Sequence, residues 1–193
     1  LRERGLLMNQ GTLVDATIIA APSSTKNKAH ERDPEMGHTR KGKQYYFGAK
    51  AHIGVDGDSG LVHSTTTTAA NVADITETAN LLHGEEEAVF ADAGYTGAEK
   101  REELKDRQVK WYIATKRGKI TALPEGELKA LTKRIERLKA QARSRVEHVF
   151  HLLKDRFHHR KLRYQGLKKN GAQHEVLFAL ANLIIAKKAL LAI

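Results

Sequence analysis

The chain has 193 residues, enough for one domain with a hydrophobic core, and no cysteine, which excludes disulfide scaffolds, thiolate metal sites and cysteine nucleophiles and fits a reducing, cytoplasmic compartment. No run of about 18 apolar residues occurs and the first residues lack a signal-peptide pattern, so no membrane-spanning protein is expected. The net charge of +10 is concentrated: residues 126–193 hold 16 Lys and Arg against 5 Asp and Glu, a net +11, and a segment of that density points to a polyanion such as nucleic acid, a solvated helical face being the alternative.

The opening text LRERGLLMNQ reads as helix-like and contains no methionine before Met8, so a fragment with a missing upstream segment is expected. Residues 12–19, within GTLVDATIIA, read as a buried strand rich in β-branched side chains and interrupted only by Asp15. Residues 21–43 lack apolar periodicity and carry Lys26, Lys28, Arg32, Arg40, Lys41 and Lys43, which predicts a long, flexible basic loop. From Tyr45 the alternation through Phe47, Ala49, Ala51, Ile53 and Val55 predicts a half-buried strand. The turn DGDSG then leads to LVHSTTTT as the second arm of a hairpin.

Further on, residues 71–82 space their apolar side chains as a helix with Asn71 at its N-cap. A short strand at Ala88–Ala91, a helix at about 97–107 and a strand at 109–115 follow. From about Glu125 the apolar residues Leu131, Ile135, Leu138, Ala142, Val146, Val149, Leu153 and Phe157 recur every three or four positions, which predicts one long amphipathic helix. The run HEVLFALANLIIAKKALLAI closes the chain as an apolar helix. The whole reads as a single α/β domain, a mixed sheet with helices on its faces and a basic helical part over residues 126–193.

Three carboxylates stand out. Asp15 interrupts one apolar strand and Asp92 ends another, where a buried unpaired charge costs several kcal/mol unless a cation, a hydrogen-bond shell or a metal compensates it. Asp92 could instead simply cap the turn that Gly94 and Gly97 permit. Glu147 lies on the long helix within one face with Arg143, His151 and Lys154, where the plain alternative is an i,i+4 ion pair with Arg143. Asp74 reads as a surface acid, and His148, His151, His158 and His159 as solvated or phosphate-contacting side chains rather than zinc ligands.

The segments GTLVDATIIAAPSSTKNK, RDPEMGHTRKGKQYYFGAKAHIGVDGDSGLVHS, TTAAN, LLHGEEE, ADAGYTGA, RVEH and RYQGLKKN together resemble the DDE transposases of bacterial insertion sequences, in the branch around insertion sequences 4 and 5. The resemblance implies a ribonuclease H-like fold in which Asp15, Asp92 and Glu147 form the catalytic triad and ligate Mg²⁺, two ions, with Mn²⁺ able to substitute. In the glutamate motif Arg143, Glu147 and Lys154 match, while Ala140 stands where the family has tyrosine. Arg143, Arg145, His151 and Lys154 are then expected on double-stranded DNA. The implied activity is cleavage at transposon ends followed by strand transfer, by a homo-oligomer on DNA in the bacterial cytoplasm and nucleoid. The alternative is a remnant that only binds DNA.

Overall fold

The computed structural model describes residues 10–28 and 30–191. The helix-like text of residues 1–9 and the last two residues of the C-terminal apolar run lie outside them. At its centre is a six-stranded mixed sheet formed by β1 (Gly11–Ala20), β2 (Gly37–Lys41), β3 (Gln44–Asp56), β4 (Val62–Ala69), β5 (Ala88–Ala91) and β6 (Lys110–Ile113). β3 is long enough to pair with β2 through residues 44–48 and then with β1 and β4 over its remaining length, all antiparallel. Gly48 stands at the handover, where a Cβ would lie 2.1 Å from the Ile19 carbonyl oxygen. β5 and β6 extend the sheet beyond β1 in parallel register.

Strand alternation sorts the apolar residues into two cores. On one face Leu13, Ile19, Ala49, Ala51, Ile53 and Val55 pack under α3 (Glu127–His151) and α4 (Leu167–Leu191), which contribute Val146, Val149 and Phe178, with Leu153 from the turn between the two helices. On the other, Val14, Val89 and Ala91 meet Leu81, Leu82, Tyr95, Ala98 and Leu104 from the connections around β5. α3 ends in a wider π turn over Leu152–Arg156, and the left-handed backbone of His158 (φ 53°) stops it, with His159 N donating back to the Leu153 carbonyl. α4 covers the edge strand β4, where Asn182 both accepts from Val62 N (2.8 Å) and donates to Val62 O (2.7 Å).

The helix expected over 71–82 is reduced to a 3₁₀ turn at Asp74–Glu77 and one α turn, α1 (Thr78–Leu81). The reason is tertiary: Lys50 Nζ binds both the Val72 carbonyl (2.7 Å) and Asp74 (2.8 Å), holding the segment against β3, and Ala73, not Asn71, precedes the first turn. The helix expected at about 97–107 is likewise only a 3₁₀ turn at Ala98–Lys100, entered from left-handed Gly97 and broken by extended Arg101. Its text offers too few apolar residues for more, Ala98 and Leu104 being the ones buried.

The span 21–43 is not a single loop. Its end forms β2, Met36 is buried, and the carboxylates of Asp33 and Glu35 accept from Gly166 N and Leu167 N, each at 2.7 Å, at the start of α4. Asp33 and Glu35 thus cap α4. α4 itself begins at Leu167, seven residues before the apolar run, and a short helix not foreseen, α2 (Arg117–Thr121), precedes α3.

Candidate active site

β1 and β5 run side by side in parallel, and their last register pairs are Leu13 with Phe90 and Val14 with Ala91. Asp15 is the next residue on β1, and Asp92 the residue just after β5. Side-chain alternation puts both on the face covered by α3, the face of Leu13 and Phe90. Asp92 Oδ1 accepts from Gly94 N at 2.7 Å and so caps the 3₁₀ turn Ala93–Tyr95. A Cβ at residue 94 would come within 2.9 Å of that oxygen, so a larger residue there would displace the carboxylate. Capping occupies one carboxylate oxygen, so the cap and a second role for Asp92 are compatible.

Asp15 Oδ1 accepts from Ala16 N at 2.8 Å, while Oδ2 faces Arg143 Nη2 at 4.0 Å. Burial pushes this carboxyl up from an ordinary 3.8 to about 6. The charges of Asp92 and Asp74 push the same way, opposed by the Ala16 hydrogen bond and the Arg143 guanidinium. The partner of Arg143 is therefore a strand aspartate; among the described residues no ion pair joins Arg143 to Glu147. Arg143 Nε is buried without a hydrogen-bond partner among those residues, so the guanidinium retains donor capacity beside the carboxylates.

Asp74 is a correction to the sequence reading. It is no free surface acid: it pairs with Lys50 at 2.8 Å, lies 3.8 Å from His52 Nδ1, and its charge reaches Asp15. The Tyr95 phenol is raised far above its ordinary range by burial and then by Asp15, Asp74 and Asp92, and its hydroxyl is buried without a hydrogen-bond partner among the described residues. Nothing in strand or helix periodicity marks Asp74 or Tyr95. The signal available was Lys50, the single Lys or Arg on β3.

Glu147 lies on α3 one turn beyond Arg143 and is exposed. Asp15 and Asp92 are brought together, Arg143 joins them, and Glu147 is not among the charges that move Asp15. Among the described residues no three His, Asp or Glu side chains form a group able to hold a metal ion. Arg145 points to the other end of β1, where it donates to the Gly57 carbonyl. His151 binds Asp155 at 2.7 Å, and Asp155 also binds Arg160. Lys154 is half-buried; burial and then the neighbouring Lys41 and Arg160 lower its pKa, so β2 and the end of α3 assemble one positive patch.

The histidines divide. His148 and His151 are exposed, but His159 is buried, with Nε2 3.1 Å from Nε2 of His174, whose Nδ1 lies 2.8 Å from Thr67 Oγ1. That group ties α4 to β4 and is internal packing, not solvent or phosphate contact. Beside the Asp92 turn a cavity of about 410 Å³ is lined by Thr96, Glu99, Trp111, Thr115, Lys116 and Lys119 among others. No helix among the described residues is long and apolar enough to cross a membrane. Residues 7–183 match the family model described as a transposase DDE domain.

Proposed function

This chain belongs to the transposase DDE domain family, and on that footing we propose that it is the catalytic domain of an insertion-sequence transposase that cleaves DNA at transposon ends and joins the freed strand to target DNA. One observation carries the reading: two carboxylates, Asp15 and Asp92, lie at adjacent strand positions with mutually reinforcing negative charge and one arginine, Arg143, beside them. The strand order also supports a ribonuclease H-like fold. Leaving out β2, β1 carries Asp15 and Asp92 directly follows the fourth strand. Within the family, the branch around insertion sequences 4 and 5 remains our assignment, on the quoted motifs.

The donor set fits a hard divalent cation. It consists of carboxylate oxygens, with no cysteine in the chain, and among the described residues the cation paired with Asp15, Arg143, stands as far off as 4.0 Å. Asp15 and Asp92 would hold Mg²⁺, or Mn²⁺ in its place, with Glu147 joining as third ligand when DNA is bound and a second ion accommodated. When bound, such ions polarise phosphate oxygens and lower the pKa of an attacking water or 3′-hydroxyl. Gly94 N fixes the Asp92 carboxylate in orientation. Arg143 places a guanidinium against phosphate oxygens at the same point, a bidentate donor that lysine would not replace. Lys41, Lys154 and Arg160 hold the flanking DNA backbone, and the domain acts as a homo-oligomer on DNA in the bacterial nucleoid.

A second reading, a remnant that only binds DNA, draws on the exposed position of Glu147 and the lack of a three-ligand group among the described residues. Cleavage of end-bearing DNA by the complete protein in Mg²⁺ or Mn²⁺ separates the two. On the enzymatic reading wild type cuts, and Glu147→Gln stops cutting while DNA affinity is kept or raised, because one negative charge leaves a basic face. Binding without cutting by the complete wild type would establish the remnant.

A further inference from the structure

The hairpin of β2 and β3 forms one edge of the sheet, and its text, residues 37–48 (GHTRKGKQYYFG), holds Arg40, Lys41 and Lys43 and no acid. The strands turn through Gly42 and Lys43, a two-residue connection that Gly42 permits with its left-handed backbone (φ 62°). Paired residues of an antiparallel ribbon share a face, so His38 stands beside Phe47 and Arg40 beside Tyr45. The ring centroids of His38 and Phe47 are 4.7 Å apart, the Arg32 guanidinium lies 5.4 Å over Phe47, and that of Arg40 lies 5.7 Å over Tyr45. Phe47 packs against the edge of the core, but Tyr45 is 72% exposed. The other face of the ribbon is closed on itself, the Tyr46 hydroxyl donating to Gln44 Oε1 at 2.8 Å.

The face of Phe47 and Tyr45 is continuous with the candidate active site. Ile53 is the cross-strand partner of Asp15, and Phe47 and Tyr45 lie an even number of residues before it, on the same side of β3. Tyr45 is eight residues from Ile53, about 26 Å along the strand at about 3.3 Å per residue. The base of the hairpin adjoins the positive patch at the end of α3. Gly48 pairs with Ala20, whose N donates to the Arg160 carbonyl at 3.3 Å, and Lys41 at the turn is near enough for its charge to act on Lys154.

Cations alone would serve any DNA backbone; the open ring selects a state of the strand. A duplex keeps its bases stacked on one another and offers a protein its phosphates and groove edges, whereas an unpaired base offers its π-face to an aromatic side chain. Arg40 lies over one side of the Tyr45 ring, and the exposure of that ring leaves the other side to a base. We infer that this face of the hairpin binds unpaired nucleotides of a DNA strand leaving the active site, with a base stacked on Tyr45 and the neighbouring phosphates held by Arg40, Lys41 and Lys43. The choice of DNA rests on the transposase reading, while the stacking does not depend on cleavage.

Anisotropy titrations of the complete chain in a chelator, where no strand is cut, test the inference. The probes are a blunt duplex and the same duplex with a single-stranded tail of about six nucleotides. Wild type is expected to bind the tailed duplex about tenfold more tightly than the blunt one. Tyr45→Ala should lose that gain, with unchanged circular dichroism and unchanged affinity for the blunt duplex, and Tyr45→Trp should keep it. A fluorescent base analogue in the tail should be quenched on binding wild type and not on binding Tyr45→Ala. Equal affinity of wild type for the two probes, or an equal loss on both in Tyr45→Ala, overturns the stacking site. Binding of neither probe by wild type would instead overturn the DNA reading itself, and this inference with it.

Discussion

Arg143 Nη2 lies 4.0 Å from Asp15 Oδ2, which places the third quarter of α3 directly over the point where β1 and β5 deliver their aspartates. The contact is too long for a strong hydrogen bond and the surrounding negative charge is only partly balanced. The carboxylates are thus kept together by the backbone register of two parallel strands, at an electrostatic cost that the fold bears in the absence of cations.

That cost can be measured. The native carboxyl of Asp15 titrates near 6 against an ordinary 3.8, so the folded state binds the extra proton and loses stability as pH rises through that window. The penalty is absent below about 3.8, complete above about 6, and at most about 3 kcal/mol for a displacement of that size. Solvent screening at the partly accessible side chain lowers it to about 1–3 kcal/mol. Asp15→Asn is expected to raise unfolding free energy by that amount at pH 7.5 in the presence of a chelator, with the gain fading by pH 4. Urea titrations of both proteins at the two pH values check this. The difference cancels the buried histidines His52, His63 and His174, whose depression to about 4 works in the opposite sense.

Lys50 is expected to be structural. Its ammonium neutralises Asp74 and holds the Val72 carbonyl, so Lys50→Met leaves a half-buried carboxylate unpaired and should cost about 1–3 kcal/mol. Adding Asp74→Ala should recover part of the loss, since the unpaired charge is then gone. Equilibrium denaturation of the two single variants and the double variant forms the test.

Much of the sheet was legible. β1, β3 and β5 alternate or run apolar over short lengths, β4 follows a hairpin turn, and the apolar spacing of α3 is sustained over about seven turns. The segments around β5 were not, because their conformation is set from outside: Lys50 pulls residues 72–74 onto β3, and left-handed Gly97 starts a turn that extended Arg101 ends. The acids Asp33 and Glu35 looked like loop because their partners, the free N–H groups of α4, are more than a hundred residues away. For the site, Asp15 was visible as a charge interrupting one apolar strand and Asp92 as a charge at the end of another. The partner of Arg143 was not, since helical spacing offers Glu147 and only the packing of α3 on β1 offers Asp15. Periodicity also found the outward leucines of α3 without revealing that they face solvent.

The positive patch where β2 meets the end of α3 should contribute to DNA binding by charge alone. Replacing Lys41 and Lys154 together with alanine should weaken binding to all sequences alike and make the log–log salt dependence shallower by up to about 2, roughly 0.9 for each lost phosphate contact. Fluorescence anisotropy titrations at several salt concentrations, with two unrelated duplexes, would reveal both effects. An unchanged slope would place the DNA path elsewhere.

The central claim is that Asp15 and Asp92 form the floor of a divalent-cation site, and a crystal of the protein with bound DNA, soaked in Mn²⁺ and recorded at the manganese absorption edge, addresses it most directly. The account predicts an anomalous peak within about 2.0–2.4 Å of a carboxylate oxygen of each aspartate, with Glu147 turned toward it, and its loss in Asp92→Asn. Anomalous density confined to other acids, or a peak at this position that persists when Asp92 is replaced by asparagine, would contradict it.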